Sequence, residues 1–265
     1  MKLTGKTCLL TGATGGIGEA IAIALDAAGA QLILVGRSQL KLNHLLNQLK
    51  NDNHICVSAD LTQTEGIETV VQSCNNDIDI LINNAGNNHF GLLTEQSEQQ
   101  IRQMLELNTL APMLLTKAML PLLNKQSATI INIGSGFGSI GFAGYCAYSA
   151  SKFALRGFTE ALRRELSDTN THVLYLAPRA TATEMNPSSV VKMNEELGNA
   201  MDSPKRVADE LMSLLTKTQA RRFIGWPERF FVKLNGLLPS VVDSALAKQL
   251  PIIKRYAVAS SDNHR

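Results

Sequence analysis

A parallel α/β sheet wound on both faces, in one domain, is the fold class this sequence predicts, and three observations predict it. Short apolar runs at 7–10, 31–35, 54–59, 78–82, 129–133 and 173–176 alternate with segments of helical spacing. The first run passes through the glycine-rich turn Thr11-Gly-Ala-Thr-Gly-Gly-Ile-Gly18 directly into a helix from Glu19 to Ala28. A chain of 265 residues, 45% apolar and 18% charged, is long enough for one large core and holds no low-complexity tract. A last strand around Phe223-Ile224 brings the expected sheet to about seven strands, and no internal repeat interrupts the order.

The order strand, glycine turn, helix gives the first motif its meaning. Glycines let a backbone turn tightly and approach a pyrophosphate, whose charge then meets the positive end of the helix. Gly12, Gly16 and Gly18, with Thr14 and Ile17 among them, are the candidates for that contact; a plain tight turn is the structural alternative. A phosphate loop of the Gly-Lys-Ser/Thr kind is excluded, because no lysine follows.

The second run ends in Gly36-Arg37-Ser38. Selection of NAD(H) needs a carboxylate here, to accept from the ribose 2′-hydroxyl. Arg37 instead offers a plane to stack on adenine and a fork to pair with a 2′-phosphate. NADP(H) is therefore favoured over NAD(H). Lys41 is a candidate helper, or a solvated residue of the helix expected from Leu40 to Leu49.

The stretch from Ile131 to Lys152 runs from apolar strand through a glycine-rich loop into a helix carrying Tyr148 and Lys152. Four residues apart, these side chains share a helix face, with Cβ atoms roughly 5–6 Å apart. An ammonium beside a phenol favours the phenolate, so the pair reads as an acid/base with a lowered tyrosine pKa. Moving a phenol by about three units takes roughly 4 kcal/mol. Lysine alone would not obviously suffice, and a second cation is implied.

Tyr148-Ser-Ala-Ser-Lys152, Ser135 thirteen residues before the tyrosine, the Thr-Gly-x-x-x-Gly-Ile-Gly turn and Asn83-Asn84-Ala85-Gly86 together resemble the short-chain dehydrogenase/reductase family, over about residues 4 to 225. The resemblance implies a Rossmann-type sheet and reversible hydride transfer between NADP(H) and a carbonyl or secondary alcohol. It implies Tyr148 as proton donor and acceptor, Ser135 as holder of the substrate oxygen, and Lys152 as the group that lowers the tyrosine pKa and bonds the cofactor ribose. Oxidised nicotinamide would be the second cation.

By the same resemblance Asn108, inside a helical region expected from Glu98 to Leu123, helps hold a water between the lysine and solvent. Asp60 and Leu61 would lie against adenine, and Asn84, Ala85 and Gly86 beside the cofactor ribose. Pro178, Thr181 and Thr183 would follow the nicotinamide, with Thr181 at the carboxamide and Thr183 at ribose or phosphate. Arg179 departs from the glycine usual after that proline, and either reaches an anionic substrate group or points to solvent. Residues 184–203, poor in strong apolar runs, read as a mobile substrate lid, and Ser203-Pro204 as the start of a helix through Leu215.

Other classes fit less well. A net charge of +2 gives no nucleic-acid footprint. Gly134-Ser-Gly136 lacks the hydrolase elbow, and His44, His54 and His89 lack paired spacing for a metal. A nucleotide-bound regulatory or scaffold protein without turnover is the alternative, against which the intact Ser135, Tyr148 and Lys152 stand. Cys8, Cys56, Cys74 and Cys146 are scattered and read as reduced core or near-core residues, and the amino terminus shows no signal-peptide pattern, so the cytoplasm is expected. A homo-dimer or homo-tetramer is the expected assembly.

Residues 1–225 are the expected catalytic domain and 226–265 a helical extension. From Arg221 to Tyr256 seven basic residues face two acidic ones among many bulky apolar residues, with breaks expected at Pro239 and Pro251. Two readings stay open: helices lying in a membrane interface, or a roof over the substrate pocket or a subunit contact. Both imply a lipophilic entrance.

Overall fold

Successive residues of the first strand, β1 (Thr7–Thr11), go to opposite sides of a sheet that is covered on both. That is why the strands read as unbroken apolar runs. Cys8 and Leu10 pack with Ile21 and Leu25 of α1 (Gly16–Ala27) and with Val207 and Leu211 of α8 (Pro204–Lys217). Leu9 packs on the other face with Val70 of α3 (Thr64–Gln72), Leu115 and Met119 of α5 (Ala111–Met119) and Leu162 of α6 (Cys146–Glu165). Each fully buried leucine is worth about 1.5–3 kcal/mol.

This computed structural model describes residues 2–74 and 78–262. The remaining strands are β2 (Gln31–Gly36), β3 (Ile55–Ser58), β4 (Ile80–Asn83), β5 (Ala128–Ile133), β6 (Thr171–Ala177) and β7 (Arg221–Phe223). All pairs are parallel, in the order β3-β2-β1-β4-β5-β6-β7. The chain leaves β1 in one direction and returns to β4 on its other side, so a crevice opens at the carboxyl ends of β1 and β4.

The structure moves several expected boundaries. The first helix starts at Gly16 rather than Glu19, because the glycines themselves form its first turn. The second, α2 (Gln39–Leu46), is shorter than expected and is capped by Ser38, whose hydroxyl accepts from Lys41 N at 3.3 Å. His54 lies outside β3 as a buried brace: Nδ1 accepts from Leu32 N at 3.1 Å, and Nε2 lies 3.0 Å from Asp26 Oδ1. Ile78 forms only an isolated bridge with Leu123. The region 98–123 is helical but broken into α4 (Glu98–Leu105), a π-turn at Glu106–Leu110, α5 and a 3₁₀ turn at Leu120–Leu122.

The lid is not merely loop, since α7 (Ser188–Glu196) buries Val190 and Met193. The tail breaks at Pro239 and Pro251 as expected, each proline sitting in the first turn of the next helix, α10 (Pro239–Ala247) and α11 (Leu250–Asp262), where a missing N–H costs nothing. The helix α9 (Glu228–Leu237) precedes them. Ile253 and Ala257 of α11 join Phe90, Phe142, Tyr145, Val190 and Met193 in a third apolar cluster. Among the described residues no helix is long and apolar enough to cross a membrane.

Candidate active site

The crevice at β1 and β4 is pinned by Thr11. Its hydroxyl oxygen accepts from Asn84 N at 2.9 Å and Ala85 N at 3.0 Å and lies 3.3 Å from Ile82 O, to which it donates. Asn84 answers through Nδ2, donating to Thr11 O at 3.0 Å and Gly12 O at 3.1 Å. Asn83 donates sideways to Thr116 Oγ1 at 3.0 Å and Asn132 Oδ1 at 2.8 Å. Gly12 has φ +62°, and a Cβ on it would sit 2.8 Å from Ala85 Cα, while one on Gly18 would run into Gly12 O. The turn is therefore a backbone cradle closed to side chains, with the first N–H groups of α1 at its edge.

Thr14, Gly16, Ile17 and Gly18 line a cavity of about 1020 Å³, and Arg37, Lys41, Leu61, Asn84, Ala85 and Gly86 line it as well. Asp60 does not line it. Its exposed carboxylate accepts from Thr62 N at 3.0 Å and Thr62 Oγ1 at 2.8 Å. Those bonds, with Arg37 nearby, hold it below the usual carboxylate range despite some burial.

Further along the same cavity lie Ser135, Tyr148 and Lys152. Ser135 follows β5, and its Oγ accepts from Phe137 N at 3.1 Å. Tyr148 and Lys152 occupy one face of α6, with Lys152 Nζ 5.8 Å from the tyrosine ring centroid. Lys152 is 5% exposed and donates to Ile133 O at 3.1 Å. Burial lowers its pKa to about 8.

Tyr148 is not lowered by the chain alone, in line with the need for a second cation. Surrounding protein raises its pKa, and a hydrogen bond with Ser135 only partly opposes that. Lys152 gives its hydrogen bond to Ile133 O and not to the phenol, so burial outweighs the partners the chain itself offers and the polypeptide alone does not deliver the lowered phenol.

Asn108 stands behind this wall, fully buried within the π-turn. Its Oδ1 accepts from Asn87 N at 2.9 Å, and its Nδ2 donates to Asn87 O at 2.8 Å and Ser151 Oγ at 3.0 Å. A Cβ on Gly86 would sit 3.0 Å from Asn108 Oδ1 and 3.5 Å from Lys152 Nζ, so Gly86 separates the two by no more than a backbone. Turns of this π kind recur at functional sites.

The far part of the cavity was not foreseen residue by residue. Phe142 of the loop before α6 lines it, with Val190 and Met193 from the lid and Phe231, Val242 and Leu246 from the last helices. Two buried amide oxygens on its wall, Asn87 Oδ1 and Gln249 Oε1, have no protein partner. The tail's apolar residues had signalled a lipophilic entrance; only tertiary packing shows which of them face inward. Pro178, Thr181 and Thr183 complete the wall. Among the described residues no group of three or more His, Cys, Asp or Glu could hold a metal ion.

The profile of a family described as short chain dehydrogenase matches residues 6–194. The chain belongs to the short-chain dehydrogenase family. A 3-oxoacyl-acyl-carrier-protein reductase of Vibrio cholerae is 35% identical over 189 residues, which is 70% of this chain and 77% of the relative. The structure of a short-chain dehydrogenase from Sphingobium yanoikuyae in complex with NADPH is 26% identical, with a TM-score of 0.76, covering 90% of this chain and 95% of that one. One from Burkholderia phymatum in complex with NAD shares the fold, with a TM-score of 0.80 at 19% identity, covering 89% of this chain and 94% of that one.

Two residues of this short-chain dehydrogenase, Arg179 and Cys146, stand elsewhere than the sequence suggests. Arg179 neither projects to solvent nor stands free to meet a substrate anion, because its guanidinium is paired with Asp202 and Glu228. Cys146 likewise is exposed at the start of α6 and not a core residue, though all four cysteines are free thiols.

Proposed function

We propose that the protein is an NADP(H)-dependent reductase or dehydrogenase acting on a lipophilic carbonyl or secondary alcohol, with Tyr148 as general acid/base. The observation that carries this reading is the single cavity with a glycine cradle at one end, Ser135, Tyr148 and Lys152 in its wall, and an apolar enclosure at the other end. The cradle is where a Cβ would intrude, which suits a closely approaching pyrophosphate. A bound nicotinamide dinucleotide supplies the hydride acceptor or donor.

The chain's residues supply the rest. In reduction Tyr148 gives its phenolic proton to the carbonyl oxygen while Ser135 holds that oxygen by hydrogen bonding. Lys152, free to exchange its bond to Ile133 O for a ribose hydroxyl, steadies the phenolate left behind. Asn108, from behind Gly86, is proposed to order a water that restores the proton.

Arg37 and Lys41 at the mouth of the cradle, with the capped start of α2 between them, favour a 2′-phosphate. The apolar wall favours a lipophilic substrate. We further read the exposed Leu105, Leu110, Leu114 and Phe153 as the face of a homo-dimer or homo-tetramer, the four free thiols as cytoplasmic, and the outer side of α9 and α10 as a peripheral membrane contact. The test is a panel of acyl thioesters, steroids and small ketones with NADPH and with NADH, followed by nicotinamide absorbance. Oxidation of neither cofactor by any member of the panel, nor its reduction by the matching alcohols, would sink the reading.

A further inference from the structure

Arg179 joins three segments that border the cavity. Its Nε and Nη2 donate to the two carboxylate oxygens of Asp202 at 3.0 and 2.9 Å. Its Nη1 reaches Glu228 Oε1 at 3.4 Å and the Trp226 carbonyl at 3.5 Å. The arginine side chain is 15% exposed and that of Asp202 5%, and Asp202 also meets Arg206 Nε at 3.4 Å. Gly225, at φ +99°, makes the room: a Cβ there would fall 2.8 Å from Arg179 Cδ and 2.7 Å from Glu228 Oε2.

Each partner belongs to a different part of the wall. Arg179 directly follows Pro178. Asp202 closes the lid segment back onto that loop, its N donating to Ala180 O at 2.8 Å and its O accepting from Ala182 N at 2.9 Å. Glu228 opens α9, whose Phe231 and Val232 form part of the apolar enclosure. A planar bidentate pair fixes direction as well as distance.

We propose that Arg179 is a positioning residue that ties α9 to loop 178–183 and so sets the closed shape of the apolar half of the cavity. The proposal rests on the reductase reading above and deepens it. Bulky lipophilic carbonyls, which must press against Phe231 and Val232, depend on this tie; a small ketone can meet Tyr148 without touching them.

The test uses the full-length protein and its Glu228→Gln, Arg179→Gln and Arg179→Lys variants. Kinetics with NADPH compare a steroid ketone with a small cyclic ketone, and the fluorescence anisotropy of Trp226, the one tryptophan of the chain, reports the mobility of the start of α9. Expected for Glu228→Gln is a rise of about tenfold in KM for the steroid with kcat within about twofold, unchanged constants for the small ketone, and lower anisotropy. Arg179→Gln should do the same more strongly, with partial recovery in Arg179→Lys. Equal losses on both substrates, or unchanged anisotropy, would overturn the tie. If the Arg179 variants do not fold, Glu228→Gln decides alone. If the parent reduces no ketone the reductase reading falls, and anisotropy with hydrogen exchange across α9 still decides the tie, unchanged values refuting it.

Discussion

Lys152 lies over the ring of Tyr148, with Nζ 5.8 Å from the ring centroid, and gives its hydrogen bond to the Ile133 carbonyl rather than to the phenol. The two groups are thus neighbours without being a hydrogen-bonded pair. Burial disfavours charge on both, raising the tyrosine and lowering the lysine to about 8. Tyr148 is therefore a proton donor at rest. Deleting only that proton, Tyr148→Phe should lower turnover by about 10²–10⁴-fold while the cofactor dissociation constant stays within about twofold. Near-normal steady-state rates on a competent substrate would show that another group is the acid.

Lys152 also sets a stability effect with a definite sign. Its pKa falls from 10.5 to about 8 on folding, so between those values the unfolded chain holds more protons than the native one. Stability contributed by this site therefore rises with pH across that window, and the penalty is fully present below about 8. Lys152→Met should raise the Tm of the cofactor-free protein by a few degrees at pH 7, with a smaller gain near pH 10, while abolishing turnover. Calorimetry at the two pH values checks it; a lower Tm at pH 7 would mean that the bond to Ile133 O outweighs the burial of charge.

Arg37 lines the cavity where a carboxylate would select NAD(H). One charge-assisted contact is worth about 1.5–3 kcal/mol, so NADPH should bind about ten- to a hundredfold more tightly than NADH. Arg37→Asp should remove or invert that preference. Fluorescence titration of both reduced cofactors measures it, and equal affinities in the parent would refute the assignment.

What could be read in advance follows a physical division. Gly12, Gly18 and Gly86 were legible because close neighbours leave little room for a Cβ, and Asn83 and Asn84 because their side-chain amides lock the strand end. Tyr148 and Lys152 were legible because helical spacing alone brings them together. The role of Arg179 was not, since Asp202 and Glu228 lie 23 and 49 residues away and only the folded loops join them. Nor was the state of Tyr148, which depends on how densely the rest of the chain surrounds it. The inward face of α9 and α10 escaped notice for a related reason: both faces of α9 carry apolar residues, so periodicity could not choose between them.

The outer face of those helices leads to the last prediction. Trp226 is 74% exposed and Leu237 79%, with Phe230, Leu238 and Val241 exposed beside them. Arg229 and Lys233 lie exposed in the same surface, while the acid of α9, Glu228, is turned to Arg179. A second copy docked here about a twofold axis would bring like charges together, whereas an anionic bilayer would accept both the apolar stripe and the cations. The full-length protein should therefore float with vesicles containing phosphatidylserine at low salt and release as salt rises. Each basic residue near such a surface is worth about 1 kcal/mol, so Arg229→Gln with Lys233→Gln should weaken partitioning by about thirtyfold. Phe230→Ser with Leu237→Ser should abolish it without lowering Tm, because neither side chain is part of the core. Salt-independent absence from the floated fraction, with a dimer in sedimentation that the serine variant dissociates, would instead assign this face to a second subunit.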